Sequence, residues 1–367
     1  MSQHNVSIIG AGPAGLVAAI RLAMLGVKDV TLVDRHDFPR DKTCGSAISP
    51  KGIEILKQLG LLEEVSAHAL WINGMRLITP AGHDVRMIGK SDAALICNRR
   101  IFDEILLRRA EALGTVFRPG LNVDHLLMRD DRVVGFQAKD ETAVKSAFTI
   151  VADGAKSRFA LDRGPRRALQ TIMGWWDGFA HEPGLIEMVF DPLVAPLYGW
   201  MFPETENRVN IGICYEDAKL EKNGRELFQR FLDKYYADRI SVAQPSGAWK
   251  GHPISYSTGI ANLTSPGRFV IGEAGRMTHP ATGEGIYQAM RTGIAAAEAI
   301  ASVLQGHTDE ARAAAAYQTA CRSAFGTSFR GGMIWRRLID IGALDVVAKA
   351  ANRPFVQRYL AGTMAHM

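Results

Sequence analysis

The sequence predicts an α/β fold that combines a parallel sheet, an interleaved antiparallel sheet and a helical C-terminal region. Three observations indicate this class. Residues 5–35 alternate strand, glycine-rich turn, helix and strand, which is the repeating unit of a parallel sheet. Apolar and polar residues alternate in residues 184–190 and 208–214, as in antiparallel strands with one buried face. After Gly306 the apolar residues recur at helical spacing.

The composition is that of an ordinary globular protein and gives no sign of a nucleic-acid or metal site. The chain has 367 residues, 47% of them hydrophobic and 22% charged, which predicts two closely joined domains. Its net charge of +5 comes without a basic cluster or reading motif, so we expect no nucleic-acid partner. The four cysteines include no C-x-x-C pair, which indicates a reducing, cytoplasmic location and no bound metal. No apolar run approaches the roughly 18 residues of a spanning helix, and we expect no signal peptide.

The N-terminal unit predicts a Rossmann-type dinucleotide site. Its turn, GAGPAG, follows a β-branched strand and leads into a helix. Gly10 is expected to make the tight turn, Gly12 to let a pyrophosphate approach the backbone, and Gly15 to let the helix pack on the strand. The helix N-terminus then faces the phosphates. Asp34 ends the second strand nineteen residues after Gly15 and is placed to accept a ribose hydroxyl.

Later segments show the same pattern of a strand that ends at an acid. TIVADGAKSR reaches Asp153, and RFVIGEAGRMTHPATGEGIYQAMRTG reaches Glu273 before a glycine-rich loop and a helix. In that loop Gly283 and Gly285 let the backbone approach a flat ring, and the helix dipole stabilises negative charge there. A reduced flavin carries such a charge. A helix that opens with Arg99, in ICNRRIFDEILLRRAEALG, adds a further marker.

Taken in order, these motifs resemble the FAD-dependent oxidoreductases with a p-hydroxybenzoate-hydroxylase-like fold. The set is GAGPAG, R-x-x-F-D-x-x-L, A-D-G-A and G-E-A-G…P-x-T-G-E-G-I. Two further stretches resemble the geranylgeranyl reductase family within that superfamily: DKTCGSAISPKGIEILKQLG and YGWMFP. The resemblance implies that FAD is the cofactor, with NAD(P)H or ferredoxin both open as the electron donor. It also implies a small, hydrophobic, isoprenoid-like substrate.

The resemblance assigns cofactor-binding residues one by one. It places the N-terminal glycines and Asp34 on the adenosine and pyrophosphate, Glu273 near the ribityl chain, and the loop that ends at Ile286 on the isoalloxazine. This family usually has Asp where this chain has Glu273, so that contact is expected to shift. The full set implied is Gly10, Gly12, Gly15, Asp34, Arg35, Gly45, Arg99, Asp153, Gly272, Glu273, Gly283, Gly285 and Ile286.

The stretch PLYGWMFP places three aromatic rings on alternate positions of one strand. Tyr198, Trp200 and Phe202 are therefore expected to share one face, as either a packed interior or a pocket wall. In the family that this chain resembles, the motif lines the cavity beside the flavin. The resemblance therefore favours a substrate-binding wall that ends at Pro203.

Two residues are candidates for proton transfer during reduction of a carbon–carbon double bond. Cys44 lies at the position of the family's active-site cysteine, although packing against the ring is an equal alternative. His279 lies in the flavin loop, with a backbone-bonded loop histidine as its alternative. Trp249 and His252 are weaker candidates for the cavity wall. Two cations close to Cys44 in the chain are expected to be solvated loop residues: Arg40 and Lys42.

The order of motifs predicts three interleaved regions. The FAD-binding domain is expected to take residues 1–70, 95–163 and 255–305, the substrate domain 71–94 and 164–254, and a helical region 306–367. In that last region, helices are expected at 309–324 and 333–351. The second is amphipathic, with Trp335, Leu338 and Ile341 on one side and Arg336, Arg337 and Lys349 on the other. It is expected to cover a core or a substrate tunnel, while peripheral membrane contact and the oligomeric state stay open.

Two other enzyme classes share the fold and remain alternatives. A flavin monooxygenase would hydroxylate an aromatic or amino-acid-derived substrate and needs no second nucleotide-binding motif. A flavin-dependent halogenase is less compatible, because that family has W-x-W-x-I-P where this chain has YGWMFP. A non-enzymatic scaffold that holds FAD is the third alternative, and it predicts a flavin that substrates leave unchanged.

Overall fold

The computed structural model describes residues 3–89, 94–162, 167–216, 223–340 and 342–351. Its strands, in chain order, are β1 (Gln3–Ile9), β2 (Val30–Val33), β3 (Ala47–Ile48), β4 (Leu70–Ile72), β5 (Gly74–Ile78), β6 (Asp84–Ile88), β7 (Ala94–Ile96), β8 (Val116–Arg118), β9 (Val123–Arg129), β10 (Arg132–Ala138), β11 (Ala143–Val151), β12 (Arg167–Asp177), β13 (Leu185–Val189), β14 (Gly199–Thr205), β15 (Arg208–Tyr215), β16 (Gln244–Pro245), β17 (Lys250–Tyr256), β18 (Thr264–Ser265) and β19 (Arg268–Val270).

The described helices cover both sheets and form the C-terminal region. In chain order they are α1 (Pro13–Met24), α2 (Pro50–Gln58), α3 (Leu62–Ser66), α4 (Arg99–Ala112), α5 (Gly224–Tyr235), α6 (Ala237–Ser241), α7 (Ile286–Leu304), α8 (Glu310–Asp340) and α9 (Ala343–Ala351). A short 3₁₀ turn spans Gly272–Gly275. Within the described residues, none of these helices is both long enough and apolar enough to cross a membrane.

A parallel sheet carries the N-terminal unit, as predicted. Strands β19, β11, β1, β2 and β8 run parallel in that order, and β9 and β10 extend β11 as an antiparallel meander. Because parallel strands end at one edge of the sheet, the turns after β1, β2, β11 and β19 lie together there. This edge is where the glycines and strand-end acids of the sequence analysis meet.

Helices α1 and α7 pack closely behind that edge because small residues face each other. A Cβ added at Gly293 would lie 2.5 Å from the carbonyl oxygen of Ala14. A Cβ added at Gly272 would lie 2.8 Å from the Ala14 Cβ. The Gly272 amide donates to Thr292 Oγ1 at 2.9 Å, which joins the end of β19 to α7. Both helix N-termini are thereby held at the same edge of the parallel sheet.

The second large sheet has the order β16-β12-β15-β14-β13-β5-β6, with β17 also paired to β12. It is antiparallel as predicted, except that β13 and β5 pair in parallel. Parallel pairing is possible there because β5 lies far ahead of β13 in the chain, so no hairpin constrains the two strands to be antiparallel. Helix α5 packs its buried face, which includes Phe228 and Phe231, against one side of this sheet. A third, small sheet of β3, β7 and β4 lies between the two.

The C-terminal region differs from the two helices predicted. Helix α8 runs without a break from Glu310 to Asp340, and only α9 follows it among the described residues. Gly332 does not interrupt α8 but allows it to approach the loop after β19. A Cβ there would lie 2.7 Å from His279 Cε1. The predicted region beyond residue 351 and the boundary at 163–164 fall outside the described residues.

The predicted sides of the amphipathic segment are also partly wrong. Arg336 is buried and pairs with Glu216, and its Nη1 donates to the Pro280 carbonyl at 3.3 Å. Leu338 lies outside and is 38% exposed. Trp335 packs inward against the aromatic cluster, which includes Tyr198, Trp200 and Phe202. Because α8 is one continuous helix, the packing of its earlier turns also fixes which side of each later residue faces the core. Ile341 is outside the described residues.

Candidate functional site

In the N-terminal glycine turn, two of the three motif glycines have no room for a side chain, and the third faces open space. Gly10 has φ of +107°, and a Cβ there would lie 2.4 Å from the Ala152 carbonyl oxygen. A Cβ on Gly15 would lie 2.0 Å from the Gly10 carbonyl oxygen. Both glycines are therefore required by the packing of the turn itself. At Gly12 the nearest neighbour of an added Cβ is Arg40 Nη2, at 4.0 Å. That position has room for a ligand to approach the backbone.

Asp34 and Arg40 both hold this turn through Ala11, and Arg40 Nη2 lies 3.9 Å from Asp34 Oδ2. Asp34 Oδ2 accepts from the Ala11 amide at 2.9 Å, and its Oδ1 accepts from the His36 amide at 3.0 Å. Arg40 Nη2 donates to the Ala11 carbonyl at 3.0 Å and lies 3.3 Å from Asp103 Oδ2. The expectation that Arg40 is a solvated loop residue is wrong. Its guanidinium bridges the glycine turn to α4, because the buried Asp103 carboxylate attracts it.

A buried ion pair anchors the start of α4. Arg99 Nε and Nη2 donate to the two oxygens of Asp103 at 2.7 and 2.8 Å. Burial by itself lowers the pKa of Arg99, but the Asp103 charge outweighs it, and Cys44 adds to the net upward shift. Asn98 caps the helix by accepting from the Arg100 amide at 2.9 Å. Arg99 is thereby fixed between Asp103 and Cys44.

A cluster of titratable groups surrounds Cys44. Burial lowers the pKa of Lys42 to about 8, with Glu273 opposing the shift and Arg99 adding to it. Burial also lowers the pKa of His252 to about 3, helped by Lys42 and further cations. Burial raises the pKa of Glu273, whose Oε1 accepts from the Ser255 amide at 3.0 Å. Lys42 is thus a half-buried member of the site, and the expectation of a solvated loop residue is wrong for it too.

The loop after β19 is tied down by Tyr198 and by its own histidine. The Tyr198 hydroxyl donates to the Thr282 carbonyl, and a Cβ added at Gly283 would lie 3.6 Å from that hydroxyl oxygen. His279 Nδ1 accepts from the Ala281 and Thr282 amides at 3.3 and 3.2 Å. Its Nε2 lies 3.3 Å from the Ser328 carbonyl on α8. This is the geometry of the backbone-bonded alternative, and burial lowers the pKa of His279.

The three aromatic rings form a continuous stripe on one face of the second sheet. Ring centroids lie 6.3 Å apart for Tyr198 and Trp200 and 6.2 Å apart for Trp200 and Phe202. A Cβ added at Gly45 would lie 3.1 Å from the Phe202 ring and 3.5 Å from Trp200 Nε1. All three rings are buried. The stripe therefore faces the segment that carries Cys44 at one end and the loop of Gly283 at the other.

Glu204, which the sequence analysis did not select, holds the stripe in place. Its Oε1 accepts from Trp175 Nε1 at 3.1 Å and Asn210 Nδ2 at 3.3 Å, and Asn210 Oδ1 accepts from Trp200 Nε1 at 2.7 Å. Its Oε2 accepts from Asn98 Nδ2 at 3.2 Å, which joins the second sheet to the capped end of α4. The sequence feature that could have identified Glu204 is its position directly after the apolar run GWMFP, where a carboxylate is unusual.

The structure brings most of the predicted site residues into one continuous line. It runs from Gly12 past Arg40 and Lys42 to Cys44 and Gly45, then along the aromatic stripe to Gly283. Gly285 and Ile286 begin α7 beside that loop, and Pro203 lies in β14 after the stripe. Arg35 is exposed and contacts His36, away from the line. Trp249 and His252 line a cavity of about 300 Å³ beside β12 and β17, and His252 also faces the charge of Lys42 in the line.

The residues of this line fit an FAD molecule. Gly12 leaves open backbone at a helix N-terminus, which suits a pyrophosphate. Asp153 Oδ1 is buried beside Gly10 with no hydrogen-bond partner among the described residues, and burial raises its pKa. A buried carboxyl oxygen without a partner is costly in a finished structure, and a ligand hydroxyl or amide would satisfy it. The cations Arg40 and Lys42 suit the negative charge of the phosphates.

Comparison with known proteins agrees with the predicted fold and with FAD as the cofactor. The FAD binding domain family matches residues 3–328. Menaquinone reductase of Mycobacterium tuberculosis is 30% identical over 321 residues, covering 81% of this chain and 76% of that protein. Digeranylgeranylglycerophospholipid reductase of Methanosarcina acetivorans is 28% identical, covering 81% and 74%. A solved geranylgeranyl bacteriochlorophyll reductase-like structure from Thermoplasma acidophilum has a TM-score of 0.87 at 18% identity, covering 96% and 92%, and confirms the predicted fold.

Proposed function

The chain belongs to the FAD binding domain family, and from this premise we propose that it is an FAD-dependent reductase of the geranylgeranyl reductase type. Its substrate is proposed to be a hydrophobic, isoprenoid-like molecule with a carbon–carbon double bond. The similarity to two proteins named reductases, of menaquinone and of digeranylgeranylglycerophospholipid, supports this proposal. The single observation that carries it is the aromatic stripe, which meets both Gly45 and the Gly283 loop.

The stripe suits an apolar chain better than a polar ring. Tyr198 and Trp200 have already committed their polar atoms, to the Thr282 carbonyl and to Asn210, so they present ring faces and edges rather than hydrogen bonds. Aromatic faces bind apolar chains through a large contact area. A hydroxylated or amino-acid-derived substrate would need free polar groups converging on it. This arrangement favours the reductase over the monooxygenase.

The chain's own groups position the reacting partners. When bound, FAD supplies a hydride to one carbon of the double bond. The glycine turn with Arg40 would hold the pyrophosphate, and the loop fixed by Tyr198 would hold the ring. The second carbon needs a proton, and the Cys44 thiol and the Lys42 ammonium, which lie close to each other in the line, are the proposed donors. Arg99, held by Asp103, orients Cys44 from behind.

Replacing the thiol tests the proton-donor role. If Cys44 donates the proton, we expect Cys44→Ser to lower kcat roughly 10²-fold, because general acid catalysis contributes about that factor. FAD affinity is expected to stay unchanged, since the serine keeps the size of the side chain. Stopped-flow oxidation of the reduced enzyme by substrate is the measurement, with Cys321→Ser, a buried cysteine of α8 outside the aromatic stripe, as control. Unaltered turnover in Cys44→Ser would remove Cys44 as donor.

The Lys42 charge predicts a pH dependence of FAD binding. Lys42 carries its charge below a pKa of about 8 and loses it above. Above pH 8 Lys42 is mostly neutral in the free protein. Because the anionic phosphates favour its charged form, Lys42 should take up a proton when FAD binds. The affinity should then fall by up to about tenfold per pH unit. Flavin fluorescence titrations at several pH values measure this. Lys42→Arg, which stays charged, should flatten the dependence; an unchanged slope in that variant would assign it to another group.

A product analysis tests the proposed reaction. The purified protein is photoreduced under anaerobic conditions and mixed with menaquinone or a geranylgeranyl lipid. The expected product is heavier by two hydrogens, with reoxidation of the flavin absorbance. The same reaction in air with labelled O₂ tests the monooxygenase, which would place the label in the product. Labelled product, or a flavin that neither substrate reoxidises, would overturn the reductase assignment.

A further inference from the structure

Three large apolar side chains are exposed on either side of the junction of α8 and α9, two on α8 and one on α9. Ile334 is 61% exposed, Leu338 38% and Val346 71%. Ile334 and Leu338 are four residues apart, so they lie on the same side of α8. The other exposed large apolar residues of the described chain are dispersed along it: Met24, Ile88, Ile101, Val116, Met128 and Val242. We refer to Ile334, Leu338 and Val346 as the elbow patch.

The core does not account for the elbow patch. The inward positions of the same helices are already filled by Trp335, Ile339 and Leu344, which pack into the aromatic cluster. Arg336 is also inside, over the Tyr256 ring at 5.1 Å. The outward apolar side chains therefore add nothing to that core. Clustered exposed apolar residues on a soluble surface usually mark an interaction site.

The elbow patch lies among exposed cations. Arg330, Arg337 and Lys349 are exposed on the same two helices. The sequence from 322 to 351 has two acids, Asp340 and Asp345, against five cations. Asp345 Oδ1 accepts from the Ala81 amide at 3.0 Å. The sequence from 352 to 367 contains two arginines and no acid. Apolar side chains flanked by cations are the combination that binds an anionic bilayer surface.

An apolar cavity of about 140 Å³ lies directly beneath the elbow. Ile339 and Gly342 line it from the helices, and Phe190 and Leu197 line it from the second sheet. The Phe190 ring lies 5.7 Å from the Tyr198 ring, so the cavity adjoins the aromatic stripe. If the substrate is a lipid, as the proposed function has it, this cavity places largely apolar space, which Asp191 also borders, between the elbow and the aromatic stripe.

We propose that the elbow patch docks the protein on the surface of an anionic lipid bilayer. Ile334, Leu338 and Val346 enter the acyl-headgroup boundary, and the cations pair with lipid phosphates. This surface is separate from the FAD site, so docking does not depend on the reaction. Two other occupants, a second copy of the chain or its own residues 352–367, become outcomes of the test.

Vesicle flotation of the full-length, FAD-loaded protein tests this proposal. Phosphatidylcholine vesicles with phosphatidylglycerol should bind it roughly tenfold more tightly than phosphatidylcholine alone. Binding should weaken at about 1 M salt, where the Debye length falls to about 3 Å. Ile334→Ser with Val346→Ser should reduce binding roughly tenfold, and Arg337→Glu should lower only the anionic preference. The matched control is Ile88→Ser with Val242→Ser, at 62% and 74% exposure, which should leave binding unchanged.

Three results would overturn the docking surface. The first is equal vesicle binding by the elbow and control variants. The second is a dimer, seen by light scattering, that the elbow substitutions dissociate. The third is binding by a chain ending at residue 351 but not by the full chain, which would show that residues 352–367 cover the patch. Reductase turnover with detergent-dispersed substrate should be the same in all variants, so failure of docking is separable from failure of the proposed reaction.

Discussion

Asp103→Asn is expected to lower the free energy of unfolding by about 3–5 kcal/mol, which is the effect of breaking a buried ion pair from one side. The Asp103 side chain is fully buried and meets both Arg99 and Arg40. The amide keeps its shape but leaves Arg99 without a counter-charge, and it leaves Arg40 with only the Asp34 carboxylate, 3.9 Å away. Because Arg40 also holds the glycine turn, the variant should lose FAD affinity together with stability. Urea unfolding of the apoprotein, followed by FAD titration, measures both.

The matched control for this substitution is Glu54→Gln on the surface of α2. Glu54 pairs with Lys57 at 2.7 Å, but both side chains are more than half exposed. Such pairs contribute less than about 1 kcal/mol, so the control should unfold almost as the wild type does. If both variants lose the same small amount of unfolding free energy, the Asp103 carboxylate does not stabilise the protein by neutralising the buried Arg99 charge.

The second large effect is expected from the glycines, and it separates packing from binding. Gly15→Ala places a Cβ 2.0 Å from the Gly10 carbonyl oxygen, so it should destabilise the apoprotein by about 2–3 kcal/mol and prevent FAD binding. Gly12→Ala has no neighbour nearer than 4.0 Å, so the apoprotein should keep its stability. The methyl group instead occupies the space proposed for the pyrophosphate. FAD affinity should fall roughly ten- to hundredfold, equivalent to about 1.4–2.8 kcal/mol.

Thermal unfolding of the flavin-free protein and fluorescence titration with FAD distinguish the two roles. A Gly12→Ala variant that binds FAD as tightly as the wild type would show that the open position does not face the cofactor. Gly259→Ala is the control for a glycine in open space without positive φ, and it should change neither stability nor affinity. Each of the three variants adds a single methyl group and no charge, so differences between them reflect only where that methyl group lies.

The candidate site was partly predictable, because several of its residues are defined by local backbone requirements. The sequence predicts that Gly10 makes the tight turn and that Gly15 lets the helix pack on the strand. The structure shows the close backbone contacts that exclude a side chain at both positions. The alternation of Tyr198, Trp200 and Phe202 placed their rings on one face. Arg40, Lys42 and Glu204 were not selected. Their roles come from Asp103, Glu273 and Asn98, which lie far from them in the chain.

Spacing and residue type were sufficient for the α/β class, the dinucleotide turn and the aromatic stripe, since each depends on dihedral angles and side-chain direction within a few neighbouring residues. Burial, charge pairing and helix continuity needed the folded molecule. Helix α8 runs through three glycines without a break, and one of them, Gly332, lets it lie against His279. Arg40 becomes a structural bridge because α4 brings Asp103 to it. Such contacts join residues that are remote in sequence, and a linear pattern carries no record of which remote groups will meet.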